Sequence, residues 1–286
     1  MKAHSSHDRE PRFPPFAFLL LTFTFPVACC LLNESALFYA QLTSAGFPDP
    51  VTSLILHHRP DWVYIMNYMK RIICLANSRK MSGRCVAGLE IEADRIGGWI
   101  RPVSGRPSEE ISLADRRFKD GSDPTLLDII EIPMLEPRPH GCQTENHLID
   151  DESYWVKVGE FPSHRLAGLC EVPNPLWVNG FSSYNGINDR IPENQSDSLG
   201  SSLVLVEPKD LVIVVEQGLK KRQVRAEFLV ANQPYKLTVT DPVVEREFLR
   251  RGEGGYAYGR RALACVSIGE AFQGHRYKLV ASLIDL

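Results

Sequence analysis

The sequence predicts a mainly β protein with minor α content, built as two small barrel-like domains that follow residue 68. Three observations lead there. Short β-branched or apolar runs recur from residue 71 onward, each bounded by Gly, Pro, Asn or polar turns. These runs fall into two groups of about five, and each group holds one short helix, the make-up of a small five-stranded barrel. With 286 residues and 44% hydrophobic content, the chain can fill the cores of two ordinary domains.

The first group occupies residues 69–160. Arg71 to Ala76, Arg84 to Ile91 and Trp99 to Val103 read as successive strands, with Gly97-Gly98 supplying the bend before the third. Ser108 to Arg117 reads as a short helix, with Ser108 as its cap and acidic residues in its first turn. Leu126 to Leu135 is another strand, and Pro133 implies an edge or a bulge.

Residues 161–202 form a connecting or insert region. Only Ser163 to Cys170 reads as a helical turn or two, and Pro173 to Ser202 is either a ligand-covering insert or a loose linker. The second group spans 203–286. Leu203 to Val206 and Leu211 to Glu216 are β-prone, and Val224 to Val230 with Tyr235 to Thr240 form a hairpin around Ala231-Asn232-Gln233-Pro234. Asp241 caps a helix with Pro242 at its first position, burying Val243, Val244, Phe248 and Leu249. Ala262 to Ile268 and Tyr277 to Ile284 close the chain as a strand pair, and both groups suit open barrels of the OB type.

The first 68 residues fit neither group. Phe16 to Leu32 is an apolar run at the lower limit of a membrane span or a signal peptide. Asp8 and Glu10 in its leader, Pro26 within it and the lack of a small-x-small cleavage site argue against export. Val27-Ala28-Cys29 matches a lipoprotein signal poorly, because Pro26 stands where Leu is expected. Met69-Lys70-Arg71-Ile72-Ile73-Cys74-Leu75-Ala76 instead reads as the start of a cytoplasmic protein that opens into a buried strand. The expectation is that residues 1–68 are upstream sequence translated from a start codon placed too early, or a non-domain segment.

Charge and cysteine usage limit the partners. Lys+Arg of 32 against Asp+Glu of 35 leaves a net charge of −3, so a nucleic-acid site must be a local patch and no membrane partner is expected. The seven cysteines (Cys29, Cys30, Cys74, Cys85, Cys142, Cys170 and Cys265) contain no C-x-x-C spacing, which argues against zinc ribbons and redox motifs. No metal or cofactor is expected, and the scattered thiols fit a reducing cytoplasm.

The segments Cys74-Leu75-Ala76-Asn77-Ser78-Arg79-Lys80, Gly98-Trp99-Ile100-Arg101-Pro102-Val103-Ser104, Leu126-Leu127-Asp128-Ile129-Ile130, Val266-Ser267-Ile268-Gly269-Glu270 and Tyr277-Lys278-Leu279 together resemble the bacterial dual OB-containing domain family. The resemblance covers residues 69–286. It implies two OB-like barrels and nucleic-acid binding by inference from fold, and it carries over no catalytic residues.

Several segments could carry function. Trp99 and Arg101 lie two residues apart and so share one strand face, fit either to stack a base and hold a phosphate or to form a core Trp capped by a guanidinium. Arg250 to Arg261 (RRGEGGYAYGRR) combines glycines with Tyr256, Tyr258, Arg260 and Arg261, the composition of a single-strand-binding loop or of an exposed hinge. Lys220, Lys221 and Arg222 with Arg225 make the densest basic cluster, a phosphate contact or a solvated turn. His140, Cys142, Glu145, His147, Asp150 and Asp151 gather acid, base and ligand types, but without an H-E-x-x-H helix or a nucleophile elbow they read as loop-ordering groups. Asn185 to Pro192 is rich in turn formers and reads as structural. The expected function is a non-catalytic binding module for single-stranded RNA or DNA. The alternatives are a hydrolase or nuclease built from the His140 to Asp151 loop and a protein-interaction adaptor.

Overall fold

Burial on both faces explains the first strand. β1 (Tyr68–Lys80) carries an unbroken apolar run because its alternate side chains enter different cores. Ile72 and Cys74 join Val86, Ile100, Ile130, Ile132 and Trp155 inside a first barrel. Ile73 and Leu75 join Ala87, Leu89, Leu203, Leu205, Leu263 and Cys265 in a second cluster. The computed structural model describes residues 67–286 apart from Asp94, Leu219 and Lys220, so the expectations placed on the first 66 residues and on Lys220 fall outside it.

The first barrel continues with β2 (Gly83–Glu92), β3 (Arg95–Val103), α1 (Leu113–Arg116), β4 (Asp128–Pro137) and β5 (Asn146–Ile149). Its strands follow the order β1-β2-β3-β5-β4, and β4 pairs back onto β1 to close the ring. The β3–β5 pair is parallel and the other pairs of the ring are antiparallel. β6 (Val156–Glu160) adds to β4 outside the ring. A 3-10 helix (Ser163–Leu169), β7 (Arg190–Pro192) and α2 (Glu193–Ser196) lead to the second sheet.

That sheet contains β8 (Leu203–Val206), β9 (Lys209–Gln217), β10 (Arg222–Val230), β11 (Gln233–Val239), α3 (Pro242–Leu249), β12 (Gly254–Ala257), β13 (Ala262–Phe272) and β14 (His275–Asp285). The order β9-β10-β11-β14-β13 repeats that of the first ring. β12 pairs with β9, so β12 and β13 act as one closing strand interrupted at residues 258–261. A helix between the third strand and the closing strand, with a parallel pair of third and last strands, is common to both rings. The second cluster is a core shared by the two barrels. The Ser282 hydroxyl donates to the Leu75 carbonyl across it, and the Arg79 N–H donates to the Thr240 carbonyl at 2.8 Å.

Several local expectations are corrected. Ser112, not Ser108, caps α1, in a capping box with Asp115, and the helix is a single turn. Glu109 at φ 56° stops any earlier start, and the Ser108 hydroxyl donates to Glu110 instead. Gly97 and Gly98 lie inside β3, while the β2–β3 turn contains Ala93 at φ 43°. β4 is not an edge strand. Pro133 is tolerated because its nitrogen lies on the same edge as its carbonyl, which accepts from the Asp150 N–H at 3.0 Å. That edge is the gap between the β6 partner of Glu131 and the β5 partner of Met134.

In the second barrel Ala231 and Asn232, at φ 49° and 63°, make the two-residue hairpin turn. The Asp241 carboxylate accepts from the N–H groups of Val243 at 2.8 Å and Val244 at 3.3 Å. Val244 and Phe248, four residues apart, form the buried stripe of α3, while Val243 faces solvent.

Candidate ligand faces of the two barrels

Barrels of this kind bind ligands on the outer face of strands two and three and on the loops at one end. In the second barrel that face is β10–β11; the insert reaches part of it through Asp189, while Leu176 packs with Tyr235 in the barrel core. The Leu176 N–H and the Asn179 amide both donate to the Tyr235 hydroxyl, at 2.9 and 3.0 Å. Ile187 and Lys236 exchange two backbone bonds, and the Asn188 amide donates to the Pro234 carbonyl at 3.0 Å. Below this strap Arg225 pairs with Asp189 at 3.4 Å and Glu216 at 2.9 Å, and Lys236 bridges Glu216 and Glu227. The segment from Pro173 to Ser202 is thus bonded to the second barrel at several points.

Lys278 anchors the strap from β14. Its ammonium donates to the Val178 carbonyl at 2.5 Å and to Asn179 Oδ1 at 3.2 Å, 5.3 Å from the centre of the Tyr235 ring. Burial lowers its pKa to about 7, against the opposing pull of Asp189.

In the first barrel the outer face carries Ala87, Leu89 and Ile91 on β2 and Trp99 and Arg101 on β3. Trp99 is half-buried against the shared core. Arg101 is 2% exposed, lies 3.1 Å from Glu145 and donates to the Ser202 hydroxyl at 2.8 Å. The two side chains do share a face, but it turns toward the second barrel, so Arg101 holds a buried ion pair. Past Leu89 the face opens into a groove of about 640 Å³ lined by Ile91, Ile96, Ile129, Val158 and Phe161, with Arg71 and Arg165 beside them. The Arg165 guanidinium lies 5.3 Å from the Phe161 ring centre and makes no ion pair among the described residues.

The glycine and tyrosine segment is largely committed internally. Its middle is β12, on which Tyr256 packs against the barrel core, and Tyr258 follows just past the strand's end. The Tyr256 hydroxyl donates to the Arg251 carbonyl at 2.7 Å, and its ring lies 6.0 Å from that of Phe248. Tyr258 is buried and donates to Asp285 at 3.0 Å. Arg260 pairs with Asp285 at 2.6 Å and Arg261 with Glu207 at 2.7 Å. Lys221 and Arg222 are exposed and make no ion pair among the described residues. Arg222 pairs with Gln217 and Gly254 with Val215, which sets the turn before β10 and the bend before β12 at one end of the barrel.

The groups of the His140 loop do not converge. His140 sits in a tight turn with Gln143, and Glu145 is buried against Arg101. His147 bonds to the Tyr68 hydroxyl at 2.5 Å, and burial, helped by Lys70, lowers its pKa. Asp150 accepts from Asn67 at 3.1 Å and from Ser153 at 2.8 Å. Among the described residues no group of three or more His, Cys, Asp or Glu could hold a metal ion, and no helix is long and apolar enough to cross a membrane.

Sequence reasoning missed the groove. The signal for it was Ile91, which continues the Ala87 and Leu89 alternation, together with Phe161 and Arg165 at helical spacing.

A family model described as the dual OB-containing domain matches residues 70–283. Neither the curated proteins nor the solved structures contain a match. With two rings of one strand order and a match over nearly all the described residues, the chain belongs to the dual OB-containing domain family.

Proposed function

We propose that the chain is a non-catalytic binding module that takes single-stranded nucleic acid on the uncovered part of the β2–β3 face of the first barrel. The observation that carries this reading is the groove at Ile91, Ile96 and Phe161. Its apolar walls suit unstacked bases, and Arg165, which makes no ion pair among the described residues, stands where a strand's phosphates would pass, while Arg71 is paired with Glu131 at 2.5 Å and Glu160 also lines the groove. Lys221 and Arg222 offer phosphate contacts on the second barrel. The scattered partners of the His140 loop support a non-catalytic role, as do the raised thiol pKa values of Cys74 and the half-buried Cys170. Burial pushes Cys74 up to about 12 and Cys170 to about 11, so neither is a thiolate at neutral pH. The described cysteines are all free, which fits a reducing cytoplasm.

The test is fluorescence anisotropy of labelled single-stranded RNA and DNA across a salt series. Arg165→Ala should weaken binding and lower the salt slope by about one phosphate equivalent. If the folded protein retains neither strand type at low salt, the nucleic-acid reading fails. A protein-adaptor reading then takes its place, favoured by β6. Among the described residues that strand pairs with β4 alone, and it exposes Val156 and Val158, at 48% and 45%, an edge suited to strand addition.

A further inference from the structure

Between the barrels lies a second, smaller cleft of about 110 Å³ that the groove does not include. Its walls come from the end of β1, from β3, from the loop before β5 and from the β13–β14 hairpin. Ser78, Arg101, Gln143 and Ser267 line it and are each at least nine-tenths buried. Lys80 adds positive charge at the mouth, and Arg79 stands beside it. The lining thus holds three cations, of which Arg79 and Arg101 are paired with carboxylates outside it, Glu245 at 2.9 Å and Glu145 at 3.1 Å, and Lys80 with Glu270 inside it at 3.1 Å.

Two observations point to an anionic ligand. Arg101 is 2% exposed, and its Nε–H has no acceptor, while its Nη2 group meets Glu145 at 3.1 Å and the Ser202 hydroxyl at 2.8 Å. A buried guanidinium with an unmatched N–H favours an oxygen acceptor beside it. Glu270 already behaves as a guest in this field. It is 3.1 Å from Lys80, and although burial opposes its charge, Lys80, Arg101 and Arg276 hold its carboxyl below the usual range. Its side chain is 44% exposed and leaves β13 where the pairing register slips between Ile268 and Ala271, so it can withdraw while the rest of the strand stays paired.

We propose that this cleft binds a phosphate group, and that Glu270 is its built-in competitor, holding the anion's place through Lys80 until phosphate displaces it. The phosphate can be free or the 5′-terminal group of a nucleotide or short strand. The hydroxyls of Ser78 and Ser267 would supply neutral donors, and Lys80 and Arg101 the charge. The site does not depend on base stacking in the groove.

Titration calorimetry of the full chain with inorganic phosphate tests it, using wild type, Glu270→Gln and Lys80→Met. Glu270→Gln should tighten phosphate binding at least fivefold by removing the competitor, and Lys80→Met should weaken it at least fivefold. Thermal unfolding checks that each variant is folded. A parallel titration with a 5′-phosphorylated dinucleotide and its 5′-hydroxyl counterpart separates the sources. Tighter binding of the phosphorylated form than of inorganic phosphate identifies a nucleotide phosphate, and equal binding identifies the free ion. No phosphate binding by folded wild type and Glu270→Gln, or no gain on Glu270→Gln, overturns the proposal. Because inorganic phosphate carries no base, that failure is distinct from a failure of oligonucleotides to bind in the groove.

Discussion

Replacing Arg101 by Met should destabilise the protein by about 3–5 kcal/mol, the cost of leaving one member of a buried ion pair behind. The side chains of Arg101 and Glu145 are 2% and 4% exposed, and their closest atoms are 3.1 Å apart. Without Arg101, Glu145 keeps only the Ser202 hydroxyl and the Ser202 N–H at 3.4 Å. Those neutral donors cannot offset a desolvated carboxylate. For a chain of this size each kcal/mol moves the melting temperature by about 2–4 °C, so the expected loss is roughly 6–20 °C. Urea unfolding followed by tryptophan fluorescence should show a lower midpoint with an unchanged slope. The double variant Arg101→Met/Glu145→Leu should recover most of the loss, since no charge is left buried. A single-variant loss below about 1 kcal/mol, or a double variant less stable than the single, would refute the reasoning.

Three further predictions follow from the packing. Lys278 has a folded pKa of about 7, far below the unfolded value, so the unfolded chain holds its proton over a range where the native chain has lost it. Stability attributable to this group should therefore rise between about pH 7 and 10.5, by an amount on the order of 3–5 kcal/mol. Lys278→Met should flatten that part of the pH profile in urea titrations, and an unchanged slope would count against the buried amine. Asp241→Ala removes the cap of α3 and the acceptor for the Leu283 N–H, and should cost about 1–2 kcal/mol in thermal unfolding. A chain beginning at Met69 loses the Tyr68–His147 bond, about 1 kcal/mol, yet should still unfold in one cooperative transition by calorimetry. Loss of folding would mean that the upstream residues complete the barrel.

Where one physical signal dominates, the sequence was readable. The hairpin at Ala231-Asn232 and the Asp241-Pro242 helix start were legible because turn and cap chemistry is local. The α1 start was misplaced because Ser108 and Ser112 both precede acidic residues, and only the positive φ of Glu109 separates them. The candidate site was less legible. Alternation placed Trp99 and Arg101 on one face, but it cannot tell a face open to solvent from one packed on another barrel. Likewise, RRGEGGYAYGRR has a binding loop's composition, but pairing of β12 with β9 turns Tyr256 inward, and distant Asp285 and Glu207 take up Tyr258, Arg260 and Arg261. Those acids lie 25 and 54 residues from the two arginines in sequence, beyond the reach of any local pattern.

The two-sided burial of β1 removes the usual proofreading of a strand. In most sheets a one-residue slip exposes apolar side chains and buries polar ones, so the error is rejected by water. In β1 a slip would exchange Ile72 and Cys74 for Ile73 and Leu75, one greasy set for another, and solvent could not tell the difference. Alignment must then be enforced by shape. Gly88 supplies that check: it faces Cys74 beside the irregularity between Cys74 and Ala76, and a Cβ there would come within 2.0 Å of the Ile73 carbonyl oxygen. A single missing methyl group acts as the index mark by which the strand between the two barrels finds its place.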